Sequence, residues 1–405
     1  MKLSSRETPS HYPHQRCRGA HALGFAIAAV VLVLLLAPEP AGAAEPRSAP
    51  RLHLNWDEGW RFHRGDPAGA DAVRFDDTRW ESVLLPHDWA ILGPIAQDNP
   101  GIGRMGFYGG GVGWYRKSFA LPPGAEGKRV RVTFDGVYMN ADVWINGQAL
   151  GRRPYGYVSF GHDLTPYLHN DGRPNVIAVR VDNSAQPSSR WYTGCGIYRH
   201  VWLTATADTH VAPDGVFVTT PAVAGDRATV RVETTVANAG RDSAAITVVH
   251  TIRRDGHVVA QLPPESRPGF AGETARFGQS VDLSQPALWS PDAPALYTVE
   301  TSVSAAGRIV DGLETTFGIR RLEFTADRGF FLNGRNLKLK GVCLHHDAGP
   351  VGAAVPEDVL RRRLLLLREG GCNAIRTGHA PMASEFYAMC DELGLLIMAE
   401  TLDEW

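Results

Sequence analysis

The sequence is poor in the features that announce metal, redox or nucleic-acid chemistry. Its five cysteines, Cys17, Cys195, Cys343, Cys372 and Cys390, include no C-x-x-C pair, which argues against zinc and dithiol motifs. Cys343, Cys372 and Cys390 lie among apolar neighbours, the setting of buried free thiols. A formal net charge of -2 leaves no basic excess to hold nucleic acid or an anionic membrane. The apolar run Ala22 to Ala37 is a little short for a membrane span, which needs about 18 residues.

That run has the surroundings of an export signal instead. Arg16 and Arg18 precede it, and Ala41, Gly42, Ala43 and Ala44 supply a small-residue cleavage site. Residues 1–44 therefore read as a signal peptide and residues 45–51 as a Pro- and Ala-rich linker. The protein is expected to be exported, with no lasting membrane partner after cleavage; an uncleaved anchor is the alternative. Ten Trp, eleven Tyr and fifteen Phe suit stacking on sugar rings, and suit β-sandwich cores equally well.

Residues 52–207 read as an all-β domain. Val130, Val132 and Phe134 alternate along one run, and Ala141, Val143 and Ile145 along the next. Asn146-Gly147 is the residue pair that a type I′ hairpin prefers. Ile177, Val179 and Val181 mark another strand, and the length favours a jelly roll over a minimal sandwich. Residues 208–317 repeat the alternation at Val230, Val232 and Val236 and at Ile246, Val248, His250 and Ile252, which suits an immunoglobulin-like β-sandwich. That segment has no Cys…Trp…Cys spacing, so it is not of the antibody type.

From about Gly318 strands and helices alternate. Leu337 to His345, Ala374 to His379 and Leu395 to Glu400 read as strands buried on both faces, the mark of a parallel sheet. A helix is expected over Pro356 to Glu369, with Val359, Leu360, Leu364 and Leu367 as its apolar stripe. A second is expected over Ser384 to Leu393, stopped by Gly394. In a βα barrel the chemistry sits at the carboxyl ends of the strands. Here those ends carry His345, His346 and Asp347, then Arg376 and His379, then Glu400, Asp403 and Glu404. Two readings follow, a catalytic rim or an α/β domain with polar loops.

The stretches Lys340-Gly341-Val342-Cys343-Leu344-His345-His346-Asp347, Asn373-Ala374-Ile375-Arg376-Thr377-Gly378-His379-Ala380-Pro381 and Cys390-Asp391-Glu392-Leu393-Gly394-Leu395 resemble those of family-2 glycoside hydrolases, the β-galactosidase group. Arg190-Trp191-Tyr192-Thr193-Gly194-Cys195-Gly196, continuing to Leu203, resembles that family as well. Two positions depart from it: Gly378 stands where Ser is usual and Ala380 where Tyr is common.

The resemblance implies a jelly-roll sugar-binding domain, an immunoglobulin-like β-sandwich and, over residues 318–405, the first part of a (β/α)8 TIM barrel. It implies a retaining hydrolase of terminal β-galactosides, with a carbohydrate substrate and no cofactor. His379 then resembles a donor to a sugar hydroxyl, and Arg376 the arginine that orients the nucleophile. His345 or His346 resembles a second sugar-contacting histidine. Glu400 becomes pocket wall or a holder of Arg376. Arg190, Trp191 and Asn99 would lie on jelly-roll loops that reach the barrel mouth. The acid/base and nucleophile of the family sit on the fourth and seventh strands, so both are expected beyond Trp405, and the chain by itself is expected to be inactive. Some members hold magnesium with a Glu and a His near the third strand. Glu404 matches the Glu, but no His follows it, and no metal is expected. A non-catalytic carbohydrate-binding protein, or the remnant of a decayed glycosidase gene, is the alternative reading.

Overall fold

Alternating apolar residues place the first domain's strands in two antiparallel sheets. The computed structural model describes residues 51–401. The expected signal peptide and the candidates Asp403 and Glu404 lie outside the described residues. One sheet has four strands in the order Leu52–Asn55, Val201–Thr206, Arg129–Phe134, Phe160–Asp163. The other has six: Glu81–Val83, Trp60–Arg64, Gly111–Phe119, Asn175–Asn183, Ala141–Ile145, Gln148–Arg153. Between them the inward residues Trp60, Phe62, Tyr115, Val130, Val132, Phe134, Val143, Ile145, Ile177, Val179 and Leu203 form one buried core. Period-2 alternation has this consequence, because successive side chains point to opposite faces. Asn146 and Gly147 both have positive φ (50° and 78°), and they join two paired strands, as the two-residue hairpin requires.

The second domain packs a sheet of Thr209–Ala224, Arg227–Asn238 and Thr274–Ser284 on one of His257–Gln261, Ala244–Arg254, Leu296–Ala305 and Arg308–Gly318. The strand Glu265–Gly269 pairs at the side of the latter. The expected alternating residues Val230, Val232 and Ile252 are buried in its core, together with Val299.

The third part begins with a small hairpin sheet, Leu322–Thr325, Gly329–Leu332 and Arg335–Asn336. Three parallel strands follow, Gly341–Leu344, Ala374–Thr377 and Leu396–Met398, linked by helices α1 (Glu357–Glu369) and α2 (Ser384–Leu393). The helices bury Leu360, Leu364, Phe386, Met389 and Cys390 against Ile375. Three expectations need correction. Val359 is exposed, because the covered stripe of α1 is narrow and centred on Leu360 and Leu364. The strands are covered on one face only. Cys343, Arg376 and Met398 form the inward row by register, and Met398 is 60% exposed. Cys343 is likewise exposed rather than buried, since no further strand among the described residues faces that row.

Specific polar contacts join the three parts. Arg51 pairs with the fully buried Asp311 (2.6 Å), which also accepts from the Val211 amide (2.7 Å). The Trp289 indole N–H donates to the carbonyl of Asp391 at the end of α2 (2.8 Å). Gly394 adopts φ 73° to stop α2, and a Cβ there would come within 2.4 Å of the Pro291 carbonyl oxygen. His200 lies between Asp57 (2.6 Å) and Glu357 of α1 (3.5 Å).

The hydrogen bond to Asp57 raises the His200 pKa from 6.5 to about 9. A folded-state value above the unfolded one means stability that is complete below pH 6.5 and is lost as pH rises through about 9. Unfolding free energy is therefore expected to decline across that window, and His200→Gln to flatten the decline. An unchanged slope in urea titrations from neutral to alkaline pH would count against this linkage.

Candidate active site

The site is built on the strand Ala374–Thr377. Arg376 belongs to the inward row, and its Nη1 donates to Cys343 Sγ (3.2 Å) on the neighbouring strand. The fully buried Thr377 points the other way. Its hydroxyl accepts from the Glu400 amide (2.9 Å), which fixes the start of the loop after the third strand. Glu400 then divides its carboxylate between two partners: one oxygen ion-pairs with Arg376, and the other receives His379 Nδ1 at 2.8 Å. That contact suits an Nδ1–H donor. The 3.3 Å approach of Arg376 Nη2 to the same nitrogen is then a packing contact and not a second hydrogen bond. Among the described residues no protein group bonds Nε2 of His379.

Two more rings complete the wall. His345 meets His379 edge-on, with centroids 5.5 Å apart. Trp191, brought by the jelly-roll loop before Gly196, lies 5.1 Å from His379 and 5.8 Å from His345. Its indole is 9% exposed and its N–H donates to Tyr157 Oη (3.1 Å), so it is both a packed residue and part of the rim. Arg190 is exposed, with its guanidinium 5.9 Å from the Trp191 ring centre. His345 Nδ1 is buried with no protein partner, and burial lowers the His345 pKa. Gly378 leaves space beside this ring: a Cβ there would lie 3.6 Å from His345 Nε2, an ordinary contact.

Two expected site residues fall elsewhere. His346 turns away from the rim. Its Nε2 approaches the Thr193 carbonyl (3.2 Å), its ring packs edge-on against Tyr157 and Tyr198, and burial lowers its pKa to about 4. Adjacent residues leaving a strand point to opposite sides, and His345 shares the parity of the inward Cys343. Asn99 spends its amide on its own loop, donating to Pro94 (3.0 Å) and Phe107 (2.7 Å) carbonyls; none of its hydrogen bonds reaches the barrel.

The residue that seats the Trp191 loop against the barrel carries no motif in the sequence. Asp88 is buried and accepts four hydrogen bonds: from Ala90 N (3.1 Å), Cys195 N (2.9 Å), Tyr192 Oη (2.6 Å) and Ala353 N (2.9 Å). Burial pushes its carboxyl pKa up, and the four donors pull it back. Gly194 is at φ 73° here, and a Cβ on it would come 2.6 Å from Ala353 Cβ.

A rim of His, Arg and Glu at strand ends, walled by a Trp from the jelly roll, is the arrangement of a multidomain carbohydrate-active protein of the barrel type. Family models agree: "Glycosyl hydrolases family 2, sugar binding domain" matches residues 86–207, "Glycosyl hydrolases family 2" residues 209–320, and the TIM barrel domain of the same family residues 324–404. The chain belongs to glycosyl hydrolases family 2. It is 46% identical over 358 residues to a beta-galactosidase of Bacteroides ovatus, covering 88% of this chain and 42% of that protein. A putative beta-glucuronidase of Formosa agariphila is 38% identical, covering 88% and 34%. Among solved structures, a family-2 member from Bacteroides cellulosilyticus superposes with a TM-score of 0.83 at 38% identity, covering 87% of this chain and 46% of that one. The chain thus spans less than half the length of each of these three relatives.

Proposed function

We propose that this chain forms the sugar-holding side of the active site of an exported, retaining β-galactosidase. The observation that carries the reading is the Arg376–Glu400–His379 cluster on adjacent strand ends, walled by Trp191 from another domain. His379 Nε2 accepts when the ring is neutral and donates when it is protonated, so it pairs with a sugar hydroxyl in either state. Arg376 places a fixed positive charge at the inner face, where it favours the ionised form of a neighbouring carboxylate. The relative at 46% identity is a beta-galactosidase, which supports a galactoside over a glucuronide. Export rests on the charged and apolar pattern of residues 16–44.

Retaining hydrolysis uses two carboxylates roughly 5–5.5 Å apart, one as nucleophile and one as acid/base. Glu400 fits neither role. One oxygen is committed to Arg376 and the other to His379, so it is a positioning group for both. The reading therefore assigns the catalytic pair to residues other than those described. The 405-residue polypeptide alone is expected to release no 4-nitrophenol from 4-nitrophenyl β-D-galactopyranoside above an enzyme-free control. Turnover that disappears with His379→Ala would overturn this assignment.

A further inference from the structure

The outer face of the four-stranded jelly-roll sheet carries a groove of about 570 Å³, lined by none of the rim residues. Strand register builds it. Trp202 lies beside Thr133, and Thr133 beside Gly161; His53 lies beside Thr204, and Thr204 beside Arg131. Gly161 presents no side chain, and the Arg131 guanidinium lies over it: a Cβ at Gly161 would come 2.8 Å from Arg131 Nη2. The Trp202 indole stacks on His53, with centroids 4.7 Å apart and planes 13° from parallel, and donates its N–H to Asp135 (2.6 Å).

The three arginines of the groove differ in what they already hold. Arg51 is engaged by Asp311 and Arg129 by Asp163. Arg131 has no ion pair or hydrogen bond among the described residues, and its Nε is buried without a partner. Asp163 and Asp214 act on it through space without pairing. Arg131 is half-buried, and its buried Nε is a donor that is costly to leave without an acceptor. Its planar fork matches a carboxylate. The volume suits a small saccharide. Hydroxyls of Thr133, Thr204 and Ser159 and the ring of Trp202 give the walls the mixed polar and aromatic character that a sugar meets.

We propose that this groove is a second saccharide site, separate from the rim, which takes a uronate-bearing sugar unit with its carboxylate on Arg131. The test is isothermal titration of the full chain with tri-galacturonate, with the neutral β-1,4-galactotriose and with sodium sulfate as comparison ligands. Tri-galacturonate is expected to bind in preference to both. Arg131→Gln is expected to weaken it about tenfold or more, the loss of a charged hydrogen bond. Ser159→Glu, at an exposed wall position away from the core, is expected to weaken it by repulsion, which keeps the test decisive if Arg131→Gln fails to fold. Trp191→Ala at the rim should leave this binding unchanged. The proposal falls if wild type does not bind tri-galacturonate at millimolar concentration, if both groove variants bind like wild type, or if Trp191→Ala removes binding. Equal binding of galactotriose would discard the uronate, and full competition by equimolar sulfate would reduce the groove to an inorganic-anion site.

Discussion

Asp88→Ala is expected to lower the unfolding free energy by about 3–5 kcal/mol. The substitution strands one hydroxyl and three backbone N–H groups in a dry junction. Each unsatisfied buried group costs about 1–3 kcal/mol, less where water reaches it. The four donors come from the Ala90 turn, from Tyr192 and Cys195 of the Trp191 loop, and from Ala353 of the barrel, so the damage concentrates where jelly roll meets barrel. Asp88→Asn should lose less, because its carbonyl oxygen still serves Ala90 and Cys195 while its NH2 can donate to the Tyr192 hydroxyl. Urea unfolding followed by tryptophan fluorescence measures both. A loss below about 1 kcal/mol for the alanine variant, within the range of ordinary surface changes, would show that water replaces the carboxylate easily.

The second large effect is at the opposite junction. Trp289 is almost fully buried, packs with Leu332 and Leu396, and sits under the Arg320 guanidinium at 4.9 Å. Its backbone carbonyl accepts from Asn333 (3.0 Å), and its indole holds the Asp391 carbonyl. Trp289→Ala removes a large side chain that spans the sandwich, the hairpin and the third barrel strand. The cost is expected to be about 3–5 kcal/mol, the usual range for such a truncation. Trp289→Phe keeps most of the packing but drops the N–H, so it should cost clearly less. Equal losses for the two variants would place the whole effect in the hydrogen bond and contradict the packing account.

Much of this architecture is legible in the sequence because period-2 alternation and turn chemistry act locally. The helix Ser384–Leu393 has the expected bounds, Val130, Val132 and Phe134 alternate along one strand as expected, and Asn146-Gly147 makes the expected turn. What resisted reading depends on neighbours distant in the chain. His345 and His346 are equivalent on paper, and only the register that puts Cys343, Arg376 and Met398 in one row separates them. Asn99 and Trp191 both lie in loops, yet one folds back on its own carbonyls while the other crosses to the barrel. Asp88 left a faint signal: a carboxylate between Leu85 and Ala90, in an apolar stretch, where a charge survives burial only with partners.

The central claim, that the rim around His379 holds a β-galactoside, is tested most directly by saturation-transfer NMR with isopropyl β-D-thiogalactoside, which is not hydrolysed. The account predicts transfer to the sugar protons from the wild-type chain, loss of that transfer in His379→Ala and in Trp191→Ala, and retention in Arg131→Gln. Absence of transfer in wild type, or transfer that survives both rim substitutions, would contradict it.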